Sequence, residues 1–168
     1  MTGLTAPPDN FAPEGIAIEA DGWFPAIGTE QVRAAIRLGE GAVTEARLIQ
    51  AIEGGILSGL RSLSDWRKAR ALEGATALAA VTTDQINGKN KAELIWQRIV
   101  TFYAAAELAD MHIDVSATDE AIDRNEEKRD SAGIYRTKAY DAVADLRAIG
   151  AEDDDAKARA VRNRVELI

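Results

Sequence analysis

The sequence predicts an all-α protein: a compact bundle of about four helices over residues 23–150, held between extended N- and C-terminal arms at 1–22 and 151–168. Three observations carry this. Apolar residues recur every three or four positions along several stretches, the period of a helix with one buried face. Three of the four prolines, Pro7, Pro8 and Pro13, fall in the first 13 residues, outside those stretches. Glycines and small polar residues sit at the joints, where helices stop. With 168 residues, 46% of them hydrophobic, the chain can bury one core but is short for two.

The N-terminal arm combines its prolines with Gly3, Asp9, Asn10 and Gly15, a composition that favours extended or mobile chain. Phe11, Ile16 and Ile18 are its candidate anchors on a neighbour. Trp23-Phe24-Pro25 follows. Pro25 holds the residue before it extended, so the two aromatics lie outside a helix and are placed to seal one end of the core.

Thr29 is the expected cap of the first helix, with Glu30 and Gln31 in its first turn. Val32, Ala35 and Ile36 give a short stripe before Gly39 and Gly41. Thr44 opens the second helix, whose core face is Leu48, Ile49, Ile52, Ile56, Leu60, Leu63 and Trp66. Gly54, Gly55 and Gly59 weaken that helix, so it either bends there or admits another backbone closely. Gly74 ends it. Residues 75–88 show no period and read as a connector with a brief extended or helical piece.

The third helix is expected from about Asn90 to His112, with Leu94, Ile95, Ile99, Phe102 and Tyr103 in the core and the small run Ala104-Ala105-Ala106 allowing a close neighbour. Thr118 is the expected cap of a fourth helix. Charged residues dominate its first half, Glu120 to Asp130, which is therefore exposed or turned toward another subunit. Ser131 to Arg136 interrupts the pattern, and Ile134, Ala139, Ala142, Val143, Leu146 and Ile149 restore a core face.

Beyond Gly150 come an acid block at Glu152-Asp153-Asp154-Asp155, then Lys157, Arg159, Arg162 and Arg164, then Val165-Glu166-Leu167-Ile168. Acid, base and apolar blocks in series look like a tail made to be captured. Arg159, Arg162 and Arg164 would set charge register, and Val165, Leu167 and Ile168 would anchor it. An extended segment can bind through main-chain pairing with alternate side chains in pockets.

A net charge of −8 argues against general phosphate-backbone binding. Without cysteine there is no disulfide, thiol nucleophile or cysteine metal site. The first residues lack the basic and apolar parts of a signal peptide, and no apolar run approaches membrane-spanning length. His112 is the sole histidine, too little for a metal centre with Asp110 or Asp114. Neither a phosphate-binding glycine loop nor a nucleophile elbow is present. No catalytic, metal or cofactor-binding residue is assigned, and an enzyme is not expected. Arg61, Arg67, Lys68 and Arg70 could line a partner surface or form a salt-bridged, solvated face.

Several places in this order resemble the head completion proteins of contractile-tailed temperate phages, a head–tail connector or neck family. They are Trp23-Phe24-Pro25, Arg33-x-x-Ile36-Arg37, Val43-Thr44-Glu45-x-Arg47-Leu48, the helix around Leu94 to Ala109, Asp114-x-x-Ala117-Thr118 and the closing Val165-Glu166-Leu167-Ile168. The resemblance implies a structural adaptor of the virion neck, assembled in the host cytoplasm, that binds the portal protein after DNA packaging and joins head to tail machinery. It implies a homo-oligomer, commonly a twelvefold ring, an adjacent neck or tail completion protein as partner, and packaged DNA passing nearby without sequence-specific binding. No membrane is involved. The competing reading is a soluble helical regulatory or nucleic-acid-binding module that uses the basic C-terminal segment.

Overall fold

Gly28 has no room for a side chain, because a Cβ there would overlap the backbone of Glu14. In this computed structural model, which describes residues 13–36, 43–111 and 119–150 and the side chains of the last stretch from residue 130, that approach lays the incoming chain on the helical body. β1 (Ala17–Ile18) pairs antiparallel with β2 (Ile27–Gly28), Ala17 opposite Gly28 and Ile18 opposite Ile27. The amides of Thr29 and Glu30 donate to the carbonyls of Ile16 and Glu14. The piece of the expected arm from residue 13 to 22 therefore lies against the bundle, and residues 1–12 are outside the described residues.

α1 (Thr29–Ala35) is capped one residue earlier than the sequence suggested, at Gly28. The Gln31 side chain accepts from the Gly28 amide at 3.2 Å. Thr29, almost fully buried, uses its hydroxyl to accept the Ile16 amide. Its side chain holds the arm, so it is not free to cap the helix.

α2 (Glu45–Leu72) begins as expected, with Thr44 accepting the Arg47 amide. It buries Leu48, Ile52, Ile56 and Leu63, while Ile49, Leu60 and Trp66 are half-buried. Its glycines admit the next long helix: a Cβ on Gly55 would stand 2.7 Å from the Val100 carbonyl oxygen, and one on Gly59 would stand 2.8 Å from the Trp96 ring. Both distances are below ordinary contact, so the close approach needs glycine.

The connector holds a short 3-10 turn, Leu78–Ala80, and a hairpin of β3 (Gln85–Ile86) with β4 (Lys89–Asn90). Asn87 and Gly88 turn it with φ of 51° and 73°, the paired positive angles of a two-residue hairpin loop. Asn90 then starts α3 (Lys91–Met111): its Oδ1 accepts the Ala92 and Glu93 amides, and its amide nitrogen donates to the Ala79 and Thr82 carbonyls. One side chain thus caps the helix and closes the connector.

α3 is the centre of the bundle, with α2 on one side and α4 (Asp119–Ala148) on the other. Ile95, Ile99 and Tyr103 are buried, Leu94 and Phe102 half-buried, and Trp96, Val100, Ala104 and Leu108 are also enclosed. α4 buries Ala132, Ala139, Ala142, Val143 and Leu146, while Ile134, expected on that core face, points to solvent because it lies off the stripe these residues form. It runs unbroken through Ser131 to Arg136, where the sequence suggested an interruption. Gly133 costs a helix only about 1 kcal/mol against alanine, too little to break one anchored by the residues that follow. His112, the Thr118 cap and the side chains of 119–129 lie outside the described residues. Among the described residues the architecture is all-α, four helices with two short strand pairs.

Three indoles join the pieces. Trp23 donates to the Ala75 carbonyl at 3.0 Å, Trp96 to Pro25 at 3.0 Å and Trp66 to Ile149 at 3.3 Å. Phe24 stacks on Trp96 with centroids 4.2 Å apart, and Trp23 meets Phe24 and Trp66 edge-on. Asp21 accepts the amides of Trp23 and Phe24 and pairs with Arg67, whose guanidinium lies over Trp23. Trp23 and Phe24 do seal the core end, outside any helix.

Candidate protein interface

α4 ends where the C-terminal tail departs, and that point is fixed to α2. Gly150 takes φ 76°, its carbonyl accepts Arg70 Nη1 at 2.7 Å, and the neighbouring Ile149 carbonyl accepts Trp66. Arg70 also pairs with Glu73 at 2.7 Å. The six residues assigned to a portal or neighbour interface, Arg159, Arg162, Arg164, Val165, Leu167 and Ile168, all lie outside the described residues.

Most of the basic cluster on α2 is turned to internal work, while among the described residues Arg61 belongs to no ion pair. Arg67 serves Asp21, Lys68 pairs with Asp65, and Arg70 holds Gly150. Arg33 ties α1 to Glu45 of α2, Arg136 ties α4 to Asp110 of α3, and Arg147 donates to the Ser62 carbonyl. Except for Lys68, whose pair lies within α2, these cations fasten elements to one another, consistent with the salt-bridged alternative and leaving fewer for an outside anion.

A different surface, which the sequence reading did not single out, lies on α3 and α4. Phe102 and Tyr135 stack with centroids 6.5 Å apart. Arg98 lies 5.2 Å from the Phe102 centroid, and Lys138 lies over both rings at 5.7 and 5.9 Å. Cations over aromatic faces at this range attract the ring quadrupole. Phe102 was expected in the core and Tyr135 in the segment that interrupts the fourth helix's pattern, and only their spatial meeting makes the platform visible.

The platform borders a groove of about 1160 Å³ between the hairpin, α3 and the end of α4, with Gly150 in its wall. Val81, Ile86, Leu94, Ile95, Phe102 and Ile149 supply apolar walls, and Asp84, Lys91, Arg98 and Asp145 supply charge. Elsewhere Leu57, Leu72, Ile134 and Tyr140 leave more than half of their surface exposed.

Two groups titrate away from their ordinary values. Burial raises Glu107, helped by the Asp110 charge. Burial also raises Tyr103, opposed by its hydrogen bond with Ser62; nearby Tyr140 raises it further and Arg147 lowers it. Neither belongs to a pocket of catalytic groups, and among the described residues no three metal-ligating side chains converge. No described helix is long and apolar enough to cross a membrane.

The described residues form a helical body with several internally paired cations and no convergent metal-ligating cluster. Comparison with known proteins gives the family. Residues 18–152 match the model of the phage head completion protein (GPL), so the chain belongs to that family, one of structural phage-head proteins. It is also 33% identical over 96 residues to the head completion/stabilization protein of Escherichia phage P2. That alignment spans 57% of this chain and 56% of the relative. No solved structure gives a significant match. The family match stops two residues after Gly150, so the basic and apolar blocks of the tail fall outside it.

Proposed function

We propose that the protein is a head completion and neck adaptor subunit that binds the portal after DNA packaging and joins the head to the tail machinery. Its copies would form a ring, with the next neck or tail protein on the far side and DNA passing through without sequence-specific contact. The observation that carries this is family membership over residues 18–152, which includes the whole helical body. The exposed Leu57, Leu72, Ile134 and Tyr140 support contact between copies. The segment 151–168 is the proposed docking arm, with Val165, Leu167 and Ile168 as anchor and Arg159, Arg162 and Arg164 as flanking charge.

The nucleic-acid-binding alternative draws little support from the body. Net charge is −8, and several of the described cations are engaged within the fold. The test is binding of purified portal to the full chain and to a chain ending at Gly150. Truncation should leave far-ultraviolet circular dichroism of the body intact and lower portal affinity by about 100-fold or more, the scale of a few lost apolar anchors. Equal affinity of the two forms would refute the docking arm.

A further inference from the structure

We infer that the groove between the hairpin, α3 and the end of α4 is the resting site of this chain's own C-terminal segment, with Val165, Leu167 and Ile168 seated on its apolar wall. This deepens the docking-arm reading, since it names where the arm sits before a partner takes it.

The first argument is continuity. Gly150, from which the segment departs, is itself part of the groove wall, and Arg70 and Trp66 fix that end of α4 in place. The segment therefore begins at the site it would occupy. Its residues 151–168 could span up to roughly 60 Å if extended, so reach is ample even with a reversal of direction. A site tethered this closely sees its own segment at an effective concentration on the order of millimolar. That favours the chain's own segment over a second copy at ordinary protein concentrations.

The second argument is complementarity. The groove offers an apolar floor, in Leu94, Phe102 and Ile149, and a rim of both signs. Among the described residues neither Arg98 nor Asp145 belongs to an ion pair. The segment interleaves the matching parts: Arg162 and Arg164 before Val165, then Glu166 between Val165 and Leu167. Residues 37–42, which follow α1, bring only Leu38 as a large apolar residue. They cannot supply the same wall-to-wall apolar contact.

The native chain has no cysteine, so a two-site cross-linking test has a clean background. Ile86 lines the groove and is 55% exposed, so Ile86→Cys disturbs little packing. The full chain carrying Ile86→Cys with Leu167→Cys would be treated with a short bismaleimide and resolved by denaturing gel and mass spectrometry. The control pairs Leu167→Cys with Leu57→Cys, which is 63% exposed on α2 and outside the groove lining. The groove pair should give an intrachain product at about tenfold the control yield, as expected for a tethered site. Products linking two chains would give the groove to a neighbour's tail and overturn the assignment. A yield no greater than the control would overturn it too. Portal binding is measured separately, so failure of the groove assignment leaves the docking-arm result standing, and the reverse.

Discussion

Gly55 is the position where the α2–α3 packing makes its sharpest quantitative demand. In Gly55→Ala the new Cβ would lie 2.7 Å from the Val100 carbonyl oxygen and 3.2 Å from the Ala104 nitrogen, where ordinary contact begins at 3.4 Å. The obstacle is backbone in the middle of α3, which cannot rotate away as a side chain can. The helices must separate locally by roughly 0.7 Å, and a gap of that size forfeits a quarter to a half of the dispersion well for the atoms it parts. Overpacking of this kind costs about 1–3 kcal/mol, against a helix-propensity gain of about 1 kcal/mol. Gly133→Ala is the control. That glycine is exposed in α4 and a Cβ there meets nothing within 4 Å, so the propensity gain of about 1 kcal/mol should appear undiminished. Urea unfolding followed by circular dichroism should therefore place Gly55→Ala below the native chain and Gly133→Ala above it, roughly 2 kcal/mol apart. Equal stabilisation by both would refute the close-approach argument. A change in the denaturant slope would instead mean altered two-state behaviour, so slopes must agree before the free energies are compared.

Trp23→Phe keeps an aromatic ring at the core end but removes the donor to the Ala75 carbonyl; about 1–2 kcal/mol of stability should be lost in urea, and no loss would mean that this bond does not fasten the connector. Glu107→Gln should stabilise the chain near neutral pH. Burial and then Asp110 raise the Glu107 pKa in the folded state, so its penalty is absent below the unfolded value of about 4.3. The penalty appears as pH rises through the folded value and persists above it. The gain from the amide should therefore vanish in unfolding measured below about pH 4, and a pH-independent gain would assign the effect to packing instead.

The sequence announced the long helices through different signals, and their legibility follows from how each is buried. α2 has one buried face, so its stripe from Leu48 to Leu63 and its Thr44 cap could be read directly. The same stripe hinted at close approach through Gly55 and Gly59. α3 is covered by α2 and α4 together, so apolar residues occur around much of its circumference. A single-stripe reading therefore favoured half-buried Leu94 and Phe102 while passing over fully buried Trp96 and Val100. The hairpin at Asn87-Gly88 was hidden by its two-residue strands, too short to show alternation. The Phe102–Tyr135 platform joins residues 33 positions apart on different helices, and no local pattern reports such a meeting.

The boundary of the family match has a physical counterpart in the fold. Residues 18–152 include the Ile18–Ile27 half of the β1–β2 pair, the three-indole cluster and the last turn of α4, and the match stops just past the Arg70–Gly150 contact. That contact is the natural place for a common body to hand over to a chain-specific tail. A tail leaving a frayed helix end would dissipate any pull from a partner by unwinding the last turn. Here the Ile149 and Gly150 carbonyls are held by Trp66 and Arg70 near the C-terminal end of α2, and Trp66 in turn meets Trp23 edge-on. A load on the tail therefore passes into α2 and the aromatic cluster. The proposed docking arm can change without remaking the body when its root is fixed in this way, because the contacts that hold the root are made by α2 and the backbone of residues 149 and 150, with no side chain of the arm required.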